Sequence, residues 1–147
     1  MKKIILPTLA AFVFVLNVHA QKSAVYMENN IAVNGYDVVA YFTESKPVKG
    51  TKNFFYLWQN VYWLFSSKQN LDSFSHNPEK YAPQFGGYCA FGLSEGHKAP
   101  TQPDAWTITD GKLYLNYNKD VRELWKKDMN ERLIKAEKNW TELKDKE

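Results

Sequence analysis

A single cysteine, Cys89, most constrains how this 147-residue chain can fold. The chain opens with the pattern of an export signal, and small exported domains are commonly held together by disulfide bonds. Cys89 has no second cysteine to pair with. Aromatic residues make up 16% of the chain, and large rings bury the most apolar area per residue. We therefore expect a fold that is stabilised by an aromatic core rather than by covalent cross-links.

The first twenty residues have the pattern of a signal peptide. Lys2 and Lys3 precede an apolar stretch, and Val18-His19-Ala20 ends in the small residues that signal peptidase reads. Cleavage after Ala20 would leave residues 21–147 as a single domain in the periplasm or outside the cell. The alternative is an uncleaved segment that stays as a short anchor. No later run reaches the roughly 18 apolar residues that a membrane span needs.

The charge balance bears on the class of partner. Removal of Lys2 and Lys3 lowers the number of basic residues from 19 to 17, against 16 acidic residues. Such a near-balance gives no support for a nucleic acid partner or a polybasic membrane contact. A protein partner in the periplasm is consistent with it.

The middle of the chain has the pattern of a β-hairpin. Residues 54–58 and 61–65 flank Gln59-Asn60, where a two-residue turn would join two strands. The predicted pairs on one face are Trp58 with Val61, Tyr56 with Trp63, and Phe54 with Phe65. The other face is also apolar and consists of Phe55, Leu57, Tyr62 and Leu64. We therefore expect this hairpin to be covered on both sides.

A second hairpin is predicted at Asp110-Gly111, a strong signal for a tight turn. One of its faces is apolar and consists of Trp106, Ile108, Leu113, Leu115 and Tyr117. The other face is more polar and consists of Thr107, Thr109, Lys112 and Tyr114. We expect the first face to meet the core and the second to meet water.

Helices are predicted around these strands. Ser66 and Gln69 have the spacing of a capping box for a short helix that ends at Asn77-Pro78, and Asp37 is expected to cap an earlier one. An apolar stripe predicts one continuous helix from Asp120 to Leu143. Its Trp125, Leu133 and Trp140 are expected to pack on Trp106, Ile108, Leu113 and Leu115. The predicted class is α+β, with two antiparallel hairpins in a small sheet, short helices and a long C-terminal helix.

Five blocks of the sequence together resemble an exported member of the YHS domain family. In order, they are GYDVVAYF (35–42), YWLFSS (62–67), NPEKY (77–81), GGYCA (86–90) and GKLYLNYN (111–118). The resemblance covers nearly the whole chain after the signal peptide. It implies a small α+β domain and a role in binding heavy metals such as copper.

Two positions depart from the pattern of the short family members. Those members carry cysteines, the proposed metal ligands, where this chain has Ala40 and Phe65. An alanine methyl and a phenyl ring cannot coordinate a metal. The site implied by the resemblance is therefore not expected to bind metal in this protein.

The remaining candidates for chemistry are Cys89, His97, His76 and Asp104. A thiolate and an imidazole, from Cys89 and His97, would suit a soft metal ion such as Cu(I), and His76, Asp104, Met27 or a partner would have to supply a third ligand. The alternatives for Cys89 are a packed core residue and a reactive thiol. His76 at a helix end is expected to bind the last carbonyls, and His97 is expected in a surface loop.

No catalytic signature is recognisable in the sequence. Cys89, His97 and Asp104 would supply the residue types for nucleophilic catalysis, but their spacing matches no hydrolase pattern. We therefore expect an exported small binding or accessory protein that is not an enzyme and whose ligand is a soft metal of the copper type. The alternatives are a protein-interaction or structural module without metal, and a binder of an apolar small molecule between the two hairpins.

Overall fold

A computed structural model describes residues 23–146, so the predicted signal peptide and its cleavage site lie outside the described residues. The strands are β1 (Met27–Glu28), β2 (Ile31–Ala32), β3 (Thr51–Trp58), β4 (Val61–Phe65), β5 (Trp106–Thr109) and β6 (Lys112–Leu115). The helices are α1 (Ala40–Thr43), α2 (Lys68–His76), α3 (Pro78–Tyr81), α4 (Ala90–Ser94), α5 (Lys119–Lys127) and α6 (Met129–Leu143). The predicted α+β class is confirmed. None of the helices in residues 23–146 combines the length and the apolarity of a membrane span.

The first predicted hairpin is confirmed as β3 and β4, joined by Gln59-Asn60, both with positive φ. It belongs to a four-stranded sheet of order β1-β2-β4-β3, in which β3 is an edge strand. Trp58 pairs with Val61 and Tyr56 pairs with Trp63, as predicted. The predicted pair of Phe54 with Phe65 is wrong. Phe65 pairs with Thr51, because a bulge in β3 between Thr51 and Phe55 shifts the register.

The inner face of this sheet packs on α2 through Phe74, which is completely buried. The Phe74 ring lies 5.2 Å from the ring of Trp63 and 5.1 Å from that of Phe65. Ser67, rather than the predicted Ser66, caps α2, and its hydroxyl accepts a hydrogen bond from the Asn70 backbone N–H (3.1 Å). Ser66 is occupied elsewhere, since its hydroxyl donates to Asp37 (2.7 Å).

The second predicted hairpin is confirmed as β5 and β6, with Trp106 paired with Leu115 and Ile108 with Leu113. The face that carries these four residues packs into the same core as the inner face of the four-stranded sheet. The prediction that the other face meets water is wrong for Tyr114, which is buried. Helices cover that face.

The predicted continuous C-terminal helix is two helices. It breaks at Asp128, whose φ of −135° and ψ of 36° are not helical, and α5 and α6 lie on either side. Trp125 of α5 is completely buried, and its ring lies 5.4 Å from that of Tyr114. α5 therefore covers the Tyr114 face of the second hairpin, and α6 joins the same core cluster through Ala136. The predicted packing on Trp106, Ile108, Leu113 and Leu115 is wrong, because those side chains belong to the other core cluster.

Two glycines before Cys89 bring chain segments into close contact. A Cβ atom on Gly86 would collide with the Ala24 carbonyl oxygen, and one on Gly87 would lie 2.5 Å from a methyl group of Val33. Both glycines also have positive φ. Only glycine meets both demands, and the close approach places the start of the described chain beside the loop that leads to Cys89.

Candidate functional site

Cys89 lies between the Gly86-Gly87 loop and α4, and it is buried. Its sulfur caps α4 by accepting a hydrogen bond from the Gly92 backbone N–H (3.4 Å). The sulfur also accepts one from the Tyr117 N–H (3.2 Å), and the thiol faces Asn116 Oδ1 (3.6 Å). Cys89 thus connects α4 to the chain that follows β6.

The surroundings of Cys89 favour the neutral thiol. Burial raises the pKa of Cys89 above its usual value, while the backbone N–H groups of Gly92 and Tyr117 oppose that rise. A thiolate is the form that binds metals and attacks electrophiles. The raised pKa and the lack of solvent contact therefore favour a structural task for this sulfur.

His97 is exposed at the end of the turn that follows α4, in agreement with the surface-loop interpretation. Its backbone N–H donates to the Gly92 carbonyl (3.0 Å). Its ring lies close to Gly92 as well, because a Cβ atom on that glycine would be 3.4 Å from His97 Nε2. Cys89 and His97 thus both contact Gly92, the first from a buried position and the second from the surface.

The two weaker candidates have partners of their own. His76 is exposed at the end of α2, where its Nδ1 contacts the Asp72 carbonyl (2.6 Å), as expected for a histidine that satisfies a terminal carbonyl. The Asp104 carboxylate pairs with Lys119 Nζ (3.2 Å). Across residues 23–146, no three His, Cys, Asp or Glu side chains form a group that could hold a metal ion.

The two positions that the sequence comparison sets against cysteines of short YHS proteins carry hydrocarbon side chains. Ala40 and Phe65 are both completely buried. The buried Asp37 carboxylate binds the backbone at Ala40 itself and at Ser66, the residue after Phe65. Asp37 accepts hydrogen bonds from the backbone N–H groups of Ala40 (3.2 Å) and Ser66 (2.9 Å) and from the Asn70 side chain (2.8 Å). This network joins α1, the end of β4 and α2, so the block containing Asp37 has a structural role here.

The face of the four-stranded sheet opposite α2 is apolar and exposed. We call it the outer face, and its residues are Ile31, Phe55, Leu57, Tyr62 and Leu64. Phe55 and Leu57 each keep 53% of their surface exposed, and Tyr62 keeps 39%. The prediction that this side of the hairpin is covered is therefore wrong for Phe55, Leu57 and Tyr62, whereas Leu64 is buried as predicted.

The outer face contains a shallow depression. This depression has a volume of about 350 Å³, and it is lined by Asn29, Ile31, Lys52, Phe55, Tyr62 and Leu64. The Phe55 and Tyr62 rings meet edge to face at 5.7 Å. The pattern of the sequence contained the signal for this surface, because both faces of the hairpin are apolar. The same pattern also fits burial on both sides, which is what the sequence predicts.

A separate cavity bears on the apolar-ligand alternative. It has a volume of about 230 Å³ and lies between the β3–β4 turn and α6, with Trp58, Trp63, Phe85 and Trp140 among its walls. None of its lining residues comes from β5 or β6, so it does not lie between the two hairpins. Its volume is also below the roughly 300–1,000 Å³ that is usual for small-molecule sites.

The chain matches no protein-family model, no curated protein and no solved structure.

Proposed function

We propose that the chain is an exported accessory protein of the YHS type that binds a protein partner through its outer face. The observation that carries this proposal is the exposure of Phe55, Leu57 and Tyr62 side by side on one sheet face. Scattered exposed apolar residues are ordinary on a protein surface, whereas contiguous ones mark interaction sites. The five sequence blocks support the family, and the signal peptide pattern supports export.

The shape of the outer face favours a protein over a small molecule. The side chains of Phe55 and Leu57 stand on a strand at the edge of the sheet, so the surface is broad and open on one side. Small molecules bind in concave sites that surround most of their surface. Aromatic and aliphatic side chains on an open face instead suit the central region of a protein interface.

A photocrosslinking experiment tests this proposal. Benzoylphenylalanine replaces Leu57 in one variant and Ile134, which is 71% exposed on α6, in the control. In intact cells that export the protein, we expect a discrete adduct from position 57 that is lost when Tyr62→Asp is added. Position 134 should give no such adduct. The absence of an adduct at position 57, or the same adducts from both positions, would contradict the proposal.

The soft-metal alternative has one observation in its favour, which is that Cys89 and His97 both contact Gly92. Titration with Cu(I) against a competing chelator separates it from protein binding. If the two side chains share a metal, Cys89→Ser and His97→Ala should each lower the Cu(I) affinity by a similar large factor. Equal affinities of both variants and the parent would exclude the pair as a metal site.

A further inference from the structure

Lys98, in the loop between α4 and β5, is the only buried lysine among residues 23–146, with 8% of its surface exposed. A buried ammonium group is costly unless hydrogen bonds replace its hydration. The Nζ atom of a lysine has three N–H donors. Here it donates to the backbone carbonyls of Ser23 (3.4 Å), Lys144 (3.0 Å) and Lys146 (2.7 Å). Backbone carbonyls therefore take the place of water around this charge.

Two aromatic rings complete the surroundings of the ammonium group. Lys98 Nζ lies 5.2 Å from the centre of the Tyr88 ring and 5.8 Å from that of the Trp140 ring. Aromatic faces attract cations, and more strongly away from water. The Tyr88 hydroxyl also donates to the Ser23 carbonyl (2.8 Å). The site is thus built for a positively charged group.

The three carbonyls come from two segments that are far apart in the sequence. Ser23 precedes β1, whereas Lys144 is the C-cap of α6 and Lys146 follows it. Carbonyl groups at the end of a helix have no partner within the helix, and a positive charge is favourable there. One ammonium group thus fastens the end of α6 to the segment before β1.

The same two segments line the cavity of about 230 Å³. Ala24 and Val25 contribute from the first segment, and Trp140 and Lys144 contribute from the end of α6. Another wall is formed by Trp63, which is only 1% exposed. With both segments in place, the cavity is smaller than the usual small-molecule site. Separation of the two segments would widen it.

We infer that Lys98 is a clasp that closes this side of the cavity by holding both segments at once, so that the segments open together and uncover Trp63. Once one segment leaves, the ammonium group loses acceptors and gains contact with water, which weakens its hold on the other segment. Local opening in such cooperative units is a general property of folded proteins. The clasp involves no residue of the outer face, so the inference is independent of the proposed function.

Amide hydrogen exchange, read by NMR, follows each segment separately. The Val25 N–H donates to the Ser23 hydroxyl (3.1 Å), and the Lys144 N–H donates to the Trp140 carbonyl (2.9 Å). Lys98→Met keeps the length of the side chain and removes its charge. Both amides should then exchange faster, by about tenfold or more, because hydrogen bonds to a charged group are lost on both segments.

Lys80→Met is the matched control. Lys80 Nζ also lies over a ring, 5.0 Å from the centre of Tyr81, but this lysine is exposed. Exchange at Val25 and Lys144 should keep its parental rate in this variant. Chemical rescue of Lys98→Ala adds a second control. Propylammonium has the size of the deleted side-chain atoms and should slow the exchange of both amides again, whereas neutral propanol should not.

Two variants that leave Lys98 in place test whether the segments open together. Lys144→Pro removes the N–H that closes the last turn of α6 and acts on the C-terminal segment. Tyr88→Phe keeps the ring and removes the hydroxyl donor to the Ser23 carbonyl. Exchange should rise by about threefold or more at the amide of the other segment, which is Val25 for the first variant and Lys144 for the second.

Oxidation of tryptophan, read by mass spectrometry, shows whether the cavity opens. Trp63 lines the cavity, whereas Trp125 is just as buried and does not line it. Lys98→Met should raise the oxidation of Trp63 by about threefold or more and leave that of Trp125 unchanged.

Several results would overturn the inference. If Lys144→Pro and Tyr88→Phe speed exchange only in the segment that carries the change, the two segments have independent anchors. Parental exchange in Lys98→Met, equal rescue by propanol, or unchanged oxidation of Trp63 would also contradict the clasp. If Lys98→Met does not fold, Lys144→Pro and Tyr88→Phe still decide the question.

Discussion

The two hairpins of this protein have similar local structures and different surroundings. Each has a two-residue turn with positive φ, Gln59-Asn60 in one and Asp110-Gly111 in the other. Each packs one face into the main core. Their other faces differ, because Leu57 and Tyr62 of β3–β4 are exposed while Tyr114 of β5–β6 is buried under α5. The sequence predicts the reverse in both cases.

This difference shows what alternation of residue types can predict. A period of two specifies which side chains share a face of a strand. Whether a helix then covers that face depends on where the rest of the chain runs, and α4 to α6 all gather near the second hairpin. An apolar face that the chain itself leaves exposed is available to a partner.

The largest expected effect concerns the cover of the second hairpin. Trp125→Ala should lower the free energy of unfolding by roughly 3–5 kcal/mol, because the side chain is completely buried. Leu124→Ala is the matched control on the same helix. Leu124 is 48% exposed, so the loss should stay below about 1 kcal/mol. Denaturant unfolding measures both, and equal losses would place Trp125 outside the core.

A matched pair of tyrosines compares the two hairpins directly. Tyr114→Ala should cost about 3 kcal/mol of stability, near the lower end for large aromatic side chains, since it removes a buried ring. Tyr62→Ala should cost about 1 kcal/mol or less, because the ring is 39% exposed. Urea unfolding curves of the parent and the two variants measure both losses of stability. A larger loss from Tyr62→Ala would reverse the assignment of covered and exposed faces.

The sequence predicts both turns and most of the register, because these depend on residues next to each other. It does not predict the break at Asp128, since the apolar stripe continues across it and an aspartate four residues before Arg132 is also typical of an intact helix surface. Aspartate is equally common at helix starts, and Asp128 occupies the N-cap position of α6, where its carboxylate accepts a hydrogen bond from Arg132 Nε (2.6 Å) rather than from a backbone N–H.

For the candidate site, the sequence identifies Cys89 but not its surroundings. The hydrogen-bond partners of the sulfur include the Tyr117 N–H, 28 residues away along the chain. Such a contact depends on how β6 docks beside α4, and no local pattern encodes it. The double apolar pattern of the first hairpin identifies the residues of the outer face, but their exposure follows only from the placement of the helices.

The alkaline pH dependence of stability provides a smaller test. Burial raises the pKa of Tyr114 above its ordinary value of 10.0. Above that pH the unfolded state binds fewer protons, so the stability contributed by Tyr114 is complete below pH 10 and is lost as the pH rises through the folded pKa. Tyr114→Phe should therefore lose less stability than the parent as the pH is raised above 10. Tyr41 and Tyr88, whose pKa values are also raised by burial, contribute the same loss to both proteins. Parallel curves would contradict the burial of the phenol.

The smallest expected effect on stability is at the outer face. Phe55→Ser and Leu57→Ser should each change the free energy of unfolding by about 0.5 kcal/mol or less, because both side chains are more than half exposed. Phe55→Ser should also abolish the crosslink that forms from position 57. A loss of several kcal/mol from either variant would show that the protein itself uses this face for its stability.

The most direct measurement of the central claim is hydroxyl-radical footprinting, read by mass spectrometry, of the purified protein and of the protein in intact cells that produce it. We predict rapid oxidation of Phe55, Leu57 and Tyr62 in the purified protein and protection of the same residues in the cells. Tyr114 and Trp125 should be protected in both samples. Slow oxidation of the outer face in the purified protein, or oxidation that is unchanged in the cells, would contradict the account.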